Sequence, residues 1–197
     1  MRKRNLTRAM MALSLVIGVL LLAPLASSLP TGIGGSSIQT AGCNCHNSVA
    51  DSSVAANIEG FPEQYNASAT YELTISFDGG PSQPGNINLG GFNLWASEGV
   101  FTPTDGLTSL WAGSVNEVVH TEAGNDYTSW VVDWTAPESG KEVDFILHVN
   151  SVNGDGLQTG QLDQWNRATF TIQSSFGLVG EVTVSYTHLT LPTIVSV

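Results

Sequence analysis

The clearest pattern in the chain is a strict alternation of apolar and polar residues between positions 70 and 77. Tyr71, Leu73, Ile75 and Phe77 occupy every second position, and polar residues separate them. Successive side chains of a β-strand point to opposite faces of a sheet, so a period of two predicts a strand with one buried face. We expect the Tyr71 face to point into a core and Glu72 to point to solvent.

The same alternation recurs in short segments along most of the chain. The residues between them are typical of turns, as in 78–85 and 136–140, where Pro removes a ladder donor and Gly permits positive φ. Short strands with this punctuation are typical of two antiparallel sheets packed face to face. The predicted fold class is all-β, an immunoglobulin-like antiparallel β-sandwich of seven to eight strands. Further strands are predicted at Val54 to Ile58, Phe92 to Ala96, Val115 to His120, Trp130 to Trp134, Val143 to Val149 and Ala168 to Ile172.

The predicted inner faces carry enough large side chains to form one core. Burying each of them stabilises the fold by roughly 1.5 to 3 kcal/mol, which can offset the ordering entropy without a metal or a disulfide. The aromatic members of this core are Tyr71, Trp130, Trp134, Phe145 and Phe170.

Charge is distributed very unevenly along the chain. Of the six basic residues, only Lys141 and Arg167 lie beyond position 8, and they oppose all 17 acidic side chains. A body this negative repels phosphate backbones and anionic headgroups. We therefore expect no nucleic-acid partner, and contact with a membrane only through a signal or anchor segment.

The N-terminus has the pattern of an export signal. A basic start is followed by an uncharged apolar run from Ala9 to Ala26, and small residues precede a cleavage point before Leu29. Residues 1–28 are predicted to be a signal peptide, with an uncleaved anchor as the alternative reading. Residues 29–42 are rich in Gly and Ser and are predicted to be a flexible leader, with order beginning near Cys43.

The predicted domain covers residues 43–175, and residues 176–183 are the start of a truncated C-terminal region. Residues 184–197 resemble the translation of a transposon adaptor used in sequencing libraries. We interpret them as a sequencing artefact, which leaves the natural C-terminus and its anchor outside this sequence. His188 lies in that segment and carries no functional weight.

Several short motifs occur in a fixed order along the chain. They are a Cys-His element before the first strand, Gly90-Gly91-Phe92, His120-Thr121, Trp134-Thr135-Ala136-Pro137 and an Asn-Gly-Asp-Gly loop. This order resembles the reeler domain, and is similar to the prokaryotic surface proteins called choice-of-anchor V. The resemblance covers about residues 42–173 and implies an immunoglobulin-like sandwich in an extracellular setting with an anchor of variable type. It does not imply an enzyme, and it leaves binding and electron transfer both open.

Cys43, Cys45 and His46 form the most informative cluster. One reading is covalent haem c, with two thiols for the vinyl groups and His46 as axial ligand, although the usual spacing has two residues between the cysteines and here there is one. A second reading is a copper or zinc site that His120 completes. The third is a disulfide, within the chain or between chains, with His46 exposed.

Two further groups of residues are weaker candidates. His120 lies at a predicted strand end, and the resemblance makes it a stronger site candidate. His148 is expected to point out of the core as a surface histidine. Oxygen ligands for calcium are offered by Asn150, Asn153, Asp155 and Asp163, against the alternative of a turn capped by its own side chains.

No phosphate loop, nucleophile elbow or paired carboxylates are found, so no enzyme activity is predicted. We expect an exported, membrane- or surface-anchored, non-enzymatic binding or structural module with an N-terminal Cys-x-Cys-His site and an unidentified extracellular ligand or protein partner. The alternative is an extracytoplasmic haem- or metal-binding redox protein that uses the same site.

Overall fold

Ten strands and one short α-helix make up the regular structure of the residues that the structure describes. The computed structural model describes residues 29–83, 85, 87–138, 140–155 and 162–175, and the predicted signal peptide and tail lie outside them. Short 3-10 turns occur at Trp111–Gly113 and Ala123–Asp126. The elements are α1 (Ser36–Ala41), β1 (Val54–Glu59), β2 (Gln64–Tyr65), β3 (Thr70–Gly79), β4 (Gly90–Ala96), β5 (Val100–Pro103), β6 (Thr108–Leu110), β7 (Glu117–His120), β8 (Ser129–Thr135), β9 (Val143–Ser151) and β10 (Gln164–Ser174).

The strands form two sheets. One has four strands in the order β1-β3-β8-β5, and the other has six in the order β2-β10-β9-β4-β7-β6. All neighbours pair antiparallel except β2 and β10, which share a short parallel ladder. The all-β sandwich predicted from the alternating pattern is confirmed.

The core lies between the two sheets and is joined across them by aromatic pairs. Trp134 of the four-stranded sheet meets Phe145 of the six-stranded sheet with ring centroids 4.9 Å apart. Trp130 meets Phe92 at 4.8 Å, and its indole N–H donates to the carbonyl of Gly124 at 2.8 Å. Pairs of this kind add stabilisation beyond that of buried area.

The predicted inner faces agree with the structure. Leu73, Ile75 and Phe77 are buried while Glu72 is exposed, and Tyr71 is partly buried against the core. The seven segments predicted as strands are all strands. The structure adds three more, β2, β5 and β6, which are only two to four residues long and too short to show a period.

The segment before Cys43 differs from the prediction. Residues 36–41 form α1, and Ile38 within it is only 4% exposed. Regular structure therefore begins before Cys43, because apolar residues of this Gly- and Ser-rich segment, such as Ile38, pack against the rest of the protein. This packing is on the outer face of the six-stranded sheet, the face turned away from the four-stranded sheet.

His148 also differs from the prediction. It lies on the outer face of the six-stranded sheet, as the alternation requires, but it is completely buried. The expectation of a surface histidine is therefore wrong, because a second layer covers that face. In the part of the chain that the structure describes, no helix is long and apolar enough to cross a membrane.

Replacing Phe145 with Ala should lower the free energy of unfolding by about 3 to 5 kcal/mol, because the ring fills the centre of the core and contacts Trp134 and Phe61. Urea unfolding followed by tryptophan fluorescence measures this loss. Thr169→Ala, on the exposed side of β10, is the control and should change stability by less than about 1 kcal/mol. A similar small effect for Phe145→Ala would contradict the assigned core.

Candidate ligand-binding cleft

Residues 29–50, here called the cover, lie over one end of the outer face of the six-stranded sheet. The Gly35 amide donates to Glu117 Oε1 at 2.7 Å, and the Trp165 indole donates to the carbonyl of Asn47 at 2.7 Å. A Cβ on Gly42 would overlap the ring of Trp165, so only glycine permits this close approach. These contacts fasten the cover at both of its ends.

A cleft lies between the cover and the sheet. Its cavity volume is about 80 Å³, and its lining is mostly apolar. Gly91 of β4 has no side chain, and the His120 ring occupies the position that a Cβ there would take. From the cover, the lining includes Leu29, Ile33, Ile38, Cys43, Cys45 and His46; from the sheet side it includes Gly91, Phe92, Asn93, His120, Asn150 and Val152.

The cleft therefore unites residues that the sequence separates. Cys43, Cys45 and His46 come to the same cavity as His120, which lies more than seventy positions further along the chain. The cover carries the first three, and His120 is the last residue of β7.

His46 is oriented by a buried carboxylate. Its Nδ1 lies 2.8 Å from Asp163 Oδ2, and Asp163 is completely buried. The other carboxylate oxygen accepts a hydrogen bond from the amide of Asn153 at 3.2 Å. When Nδ1 carries the proton for Asp163, Nε2 keeps a free lone pair, which is the arrangement found around histidines that bind metals.

His120 lies at the edge of the cleft floor, against the backbone of β4. Its Nδ1 is 3.1 Å from the amide and 3.3 Å from the carbonyl of Phe92, and which contact is a hydrogen bond depends on the tautomer. Burial lowers the pKa of His120, and the nearby His46 lowers it further, while the backbone contact acts in the opposite sense. The imidazole is therefore held neutral at neutral pH.

The two cysteines differ in their surroundings. Cys43 is partly buried and Cys45 is exposed, and both are free thiols in this structure. Burial, with a smaller contribution from Cys45, raises the pKa of Cys43 to about 12. Cys43 is therefore a protonated thiol at neutral pH and needs an external cause to become reactive.

The ligand set for a single metal ion is not assembled. Among the described residues, no three His, Cys, Asp or Glu side chains lie together closely enough to hold one ion. The two thiols and two imidazoles line one cavity at wider separations.

The residues predicted for calcium form a turn. Asn153 Oδ1 accepts from the Asp155 amide at 3.2 Å, and Asn153 Nδ2 donates to Asp155 Oδ2 at 3.0 Å. Asp163 contacts the same turn through the Asn153 amide, and its other oxygen faces His46. The turn alternative accounts for these contacts, and the calcium reading stays a prediction.

Two polar residues of this region, Glu117 and Asn93, were not predicted from the sequence. Glu117 is buried, and its Oε1 accepts from the amide of Gly35 and from Asn93 Nδ2 at 2.8 Å. Asn93 Oδ1 and Asn150 Oδ1 are buried and have no hydrogen-bond partner. The signal that could have identified Asn93 is a polar residue within an apolar strand, as in Gly-Phe-Asn-Leu.

Comparisons with known proteins concern the fold. No protein-family model matches the chain, and no curated protein matches it. The Reelin-N domain of F-spondin is 21% identical, with 64% of this chain and 88% of that chain covered and a TM-score of 0.40. The human F-spondin reeler domain is 20% identical, with 64% and 91% covered and a TM-score of 0.42. Each of these is a likeness in fold alone.

A third solved structure with a similar fold is a fimbrial subunit. The major subunit of aggregative adherence fimbriae type I from Escherichia coli is 13% identical, with 64% of this chain and 96% of that chain covered and a TM-score of 0.38. It is likewise a likeness to the present chain in fold alone.

Protonation of His148 should destabilise the folded protein. Burial, with a smaller effect of Arg167, lowers the pKa of His148 from 6.5 to about 4. Between these values the unfolded chain binds a proton that the folded chain does not, so the free energy of unfolding falls as the pH drops from 6.5 towards 4. The loss approaches about 3 kcal/mol.

Urea unfolding at several pH values between 4 and 7 measures this dependence. His148→Leu should flatten the pH dependence of stability in that window, whereas Thr169→Ala on the exposed part of the same face should keep it. An unchanged slope in His148→Leu would show that another group titrates.

Proposed function

We propose that this chain is an exported, surface-held, non-enzymatic binding module whose ligand lies in the cleft between the cover and the six-stranded sheet. One observation carries the proposal. The cover brings Cys43, Cys45 and His46 to a cavity that also contains His120, and the cavity has an apolar lining with unpartnered polar atoms in its floor. Convergence of a few polar groups in a largely apolar pocket is the usual form of a small-molecule site.

The apolar run and small residues of positions 1–28 support export. The acidic body suits a soluble domain outside the cell and supports a partner other than nucleic acid. The anchor that would hold the domain at a surface belongs to the region after position 175.

Native mass spectrometry of the protein recovered from outside the cell tests this proposal. We expect a mature chain beginning at Leu29 with a bound ligand. Val152→Trp fills the cleft and should abolish the added mass, because Val152 is part of the lining. Val115→Trp makes the same change at an exposed valine and should retain the ligand. A ligand that persists in Val152→Trp, or a chain that carries none, would contradict the proposal.

A second candidate function is an extracytoplasmic haem c protein, and the hydrogen bond between His46 and Asp163 favours it. That bond leaves His46 Nε2 available as an axial ligand in the way that metal-bound histidines are normally oriented. Cys43 and Cys45 line the same cavity and would hold the porphyrin covalently, and His120 is the second imidazole there. A bound haem would supply one-electron transfer.

Expression in a host that matures c-type haem tests the second candidate. The purified protein should show a Soret band and keep its colour on a denaturing gel. Cys43→Ser combined with Cys45→Ser should remove the colour from the gel band, and His46→Ala should shift the spectrum. Ser48→Ala, at an exposed position of the cover, should change neither. Colourless protein from such a host would reject the haem assignment.

A further inference from the structure

The floor of the cleft presents acceptor oxygens without donors. Asn93 lies on β4 opposite His148, and Asn150 lies on β9 opposite Gly91, so the two amides are diagonal neighbours on the outer face. Asn93 is only 3% exposed, and its Oδ1 has no partner; Asn150 Oδ1 is also buried and unpartnered. Both residues line the cleft.

The orientation of the Asn93 amide is fixed. Its Nδ2 donates to Glu117 Oε1 at 2.8 Å, and a carboxylate can only accept, so the amide nitrogen must face Glu117. The amide oxygen is consequently turned away from Glu117. An unpartnered buried acceptor is costly unless something donates to it.

The electrostatics of the cleft favour a positive charge. No Lys or Arg lies among the described residues that line it. Two buried carboxylates contact residues of the lining. Glu117 contacts Asn93, and Asp163 contacts His46. The Glu117 carboxylate is paired with neutral donors, and no described basic side chain neutralises it.

The remaining lining is apolar. The apolar lining residues include Ile33 and Ile38 of the cover and Val152 of the sheet side. A ligand that fits both parts needs an apolar body and a head group that donates hydrogen bonds.

We propose that the cleft binds a primary ammonium on an aliphatic chain, with the N–H donors directed to Asn93 Oδ1 and Asn150 Oδ1. An ammonium has three donors and no acceptor, which matches two acceptors on adjacent strands. The buried carboxylates of Glu117 and Asp163 stabilise its charge, and the apolar lining takes its chain. The inference rests on the proposed function, because it assumes that the cleft is the ligand site, and it names the chemical class of the ligand.

Isothermal titration of the mature protein with hexylammonium, hexanoate and hexanol, at about pH 8, tests the inference. At that pH an alkylamine is still protonated, so the probe carries its positive charge. Hexylammonium should bind, and hexanoate and hexanol should bind at least about tenfold more weakly. A blocked Ala-Lys-Ala peptide, as a further arm, distinguishes a lysine side chain from a free amine as the source of the ammonium.

Three variants locate the site. Asn93→Leu and Asn150→Leu should each weaken hexylammonium binding about tenfold or more, because a hydrogen bond to a charged group is lost. Asn66→Leu, at an exposed position outside the cleft, is the matched control and should bind normally. If Asn93→Leu does not fold, as judged by circular dichroism, Asn150→Leu carries the test.

The outcomes separate this inference from the proposed function. Equal or tighter binding of hexanoate or hexanol overturns the ammonium assignment but leaves the cleft as the ligand site. Binding of hexylammonium that neither asparagine variant weakens overturns the assigned position. If none of the probes binds, the inference fails, and the native mass spectrum of the secreted protein then decides independently whether the cleft holds another ligand.

Discussion

The packing of the Trp165 side chain, which belongs to β10, against the cover is the contact on which the cleft depends. The ring lies against Gly42, its N–H donates to the Asn47 carbonyl, and its centroid is 6.2 Å from that of His148. This contact joins the hydrogen bond from the Gly35 amide to Glu117 and the pairing of His46 with Asp163, two residues before Trp165, in holding the cover on the sheet.

The alternating pattern predicted the sandwich well because burial between two sheets leaves a period of two in the sequence. It gave the correct inward faces of β3, β8 and β9. It could not predict what lies on the outer face, because the pattern only assigns a side chain to a side of its own sheet. His148 was placed on the correct side and assigned the wrong environment, since residues about a hundred positions earlier supply the layer that buries its side of the sheet.

The candidate site was predictable only in part, for the same reason. Cys43, Cys45 and His46 were found because they are close together in sequence. His120 became a candidate site residue through the family resemblance. The partner of His46 lies 117 positions away, and Asn93, Asn150 and Glu117 are isolated polar residues whose relation exists only in the folded sheet. Single polar residues in strands have no spacing rule that links them, so no sequence pattern could have assembled this cleft floor.

Glu117 connects the shape of the cleft to its polarity. One carboxylate oxygen accepts from the Gly35 amide, which holds the cover, and from Asn93 Nδ2, which turns the amide oxygen away. The same atom therefore closes the cavity and orients an acceptor in its floor. A buried carboxylate supported only by neutral donors is expensive to keep, and replacing such groups by apolar residues is often neutral or stabilising. A fold that needed only to attach the cover could do so with apolar contacts, so Glu117 gives the cleft a negative charge that attachment alone does not require.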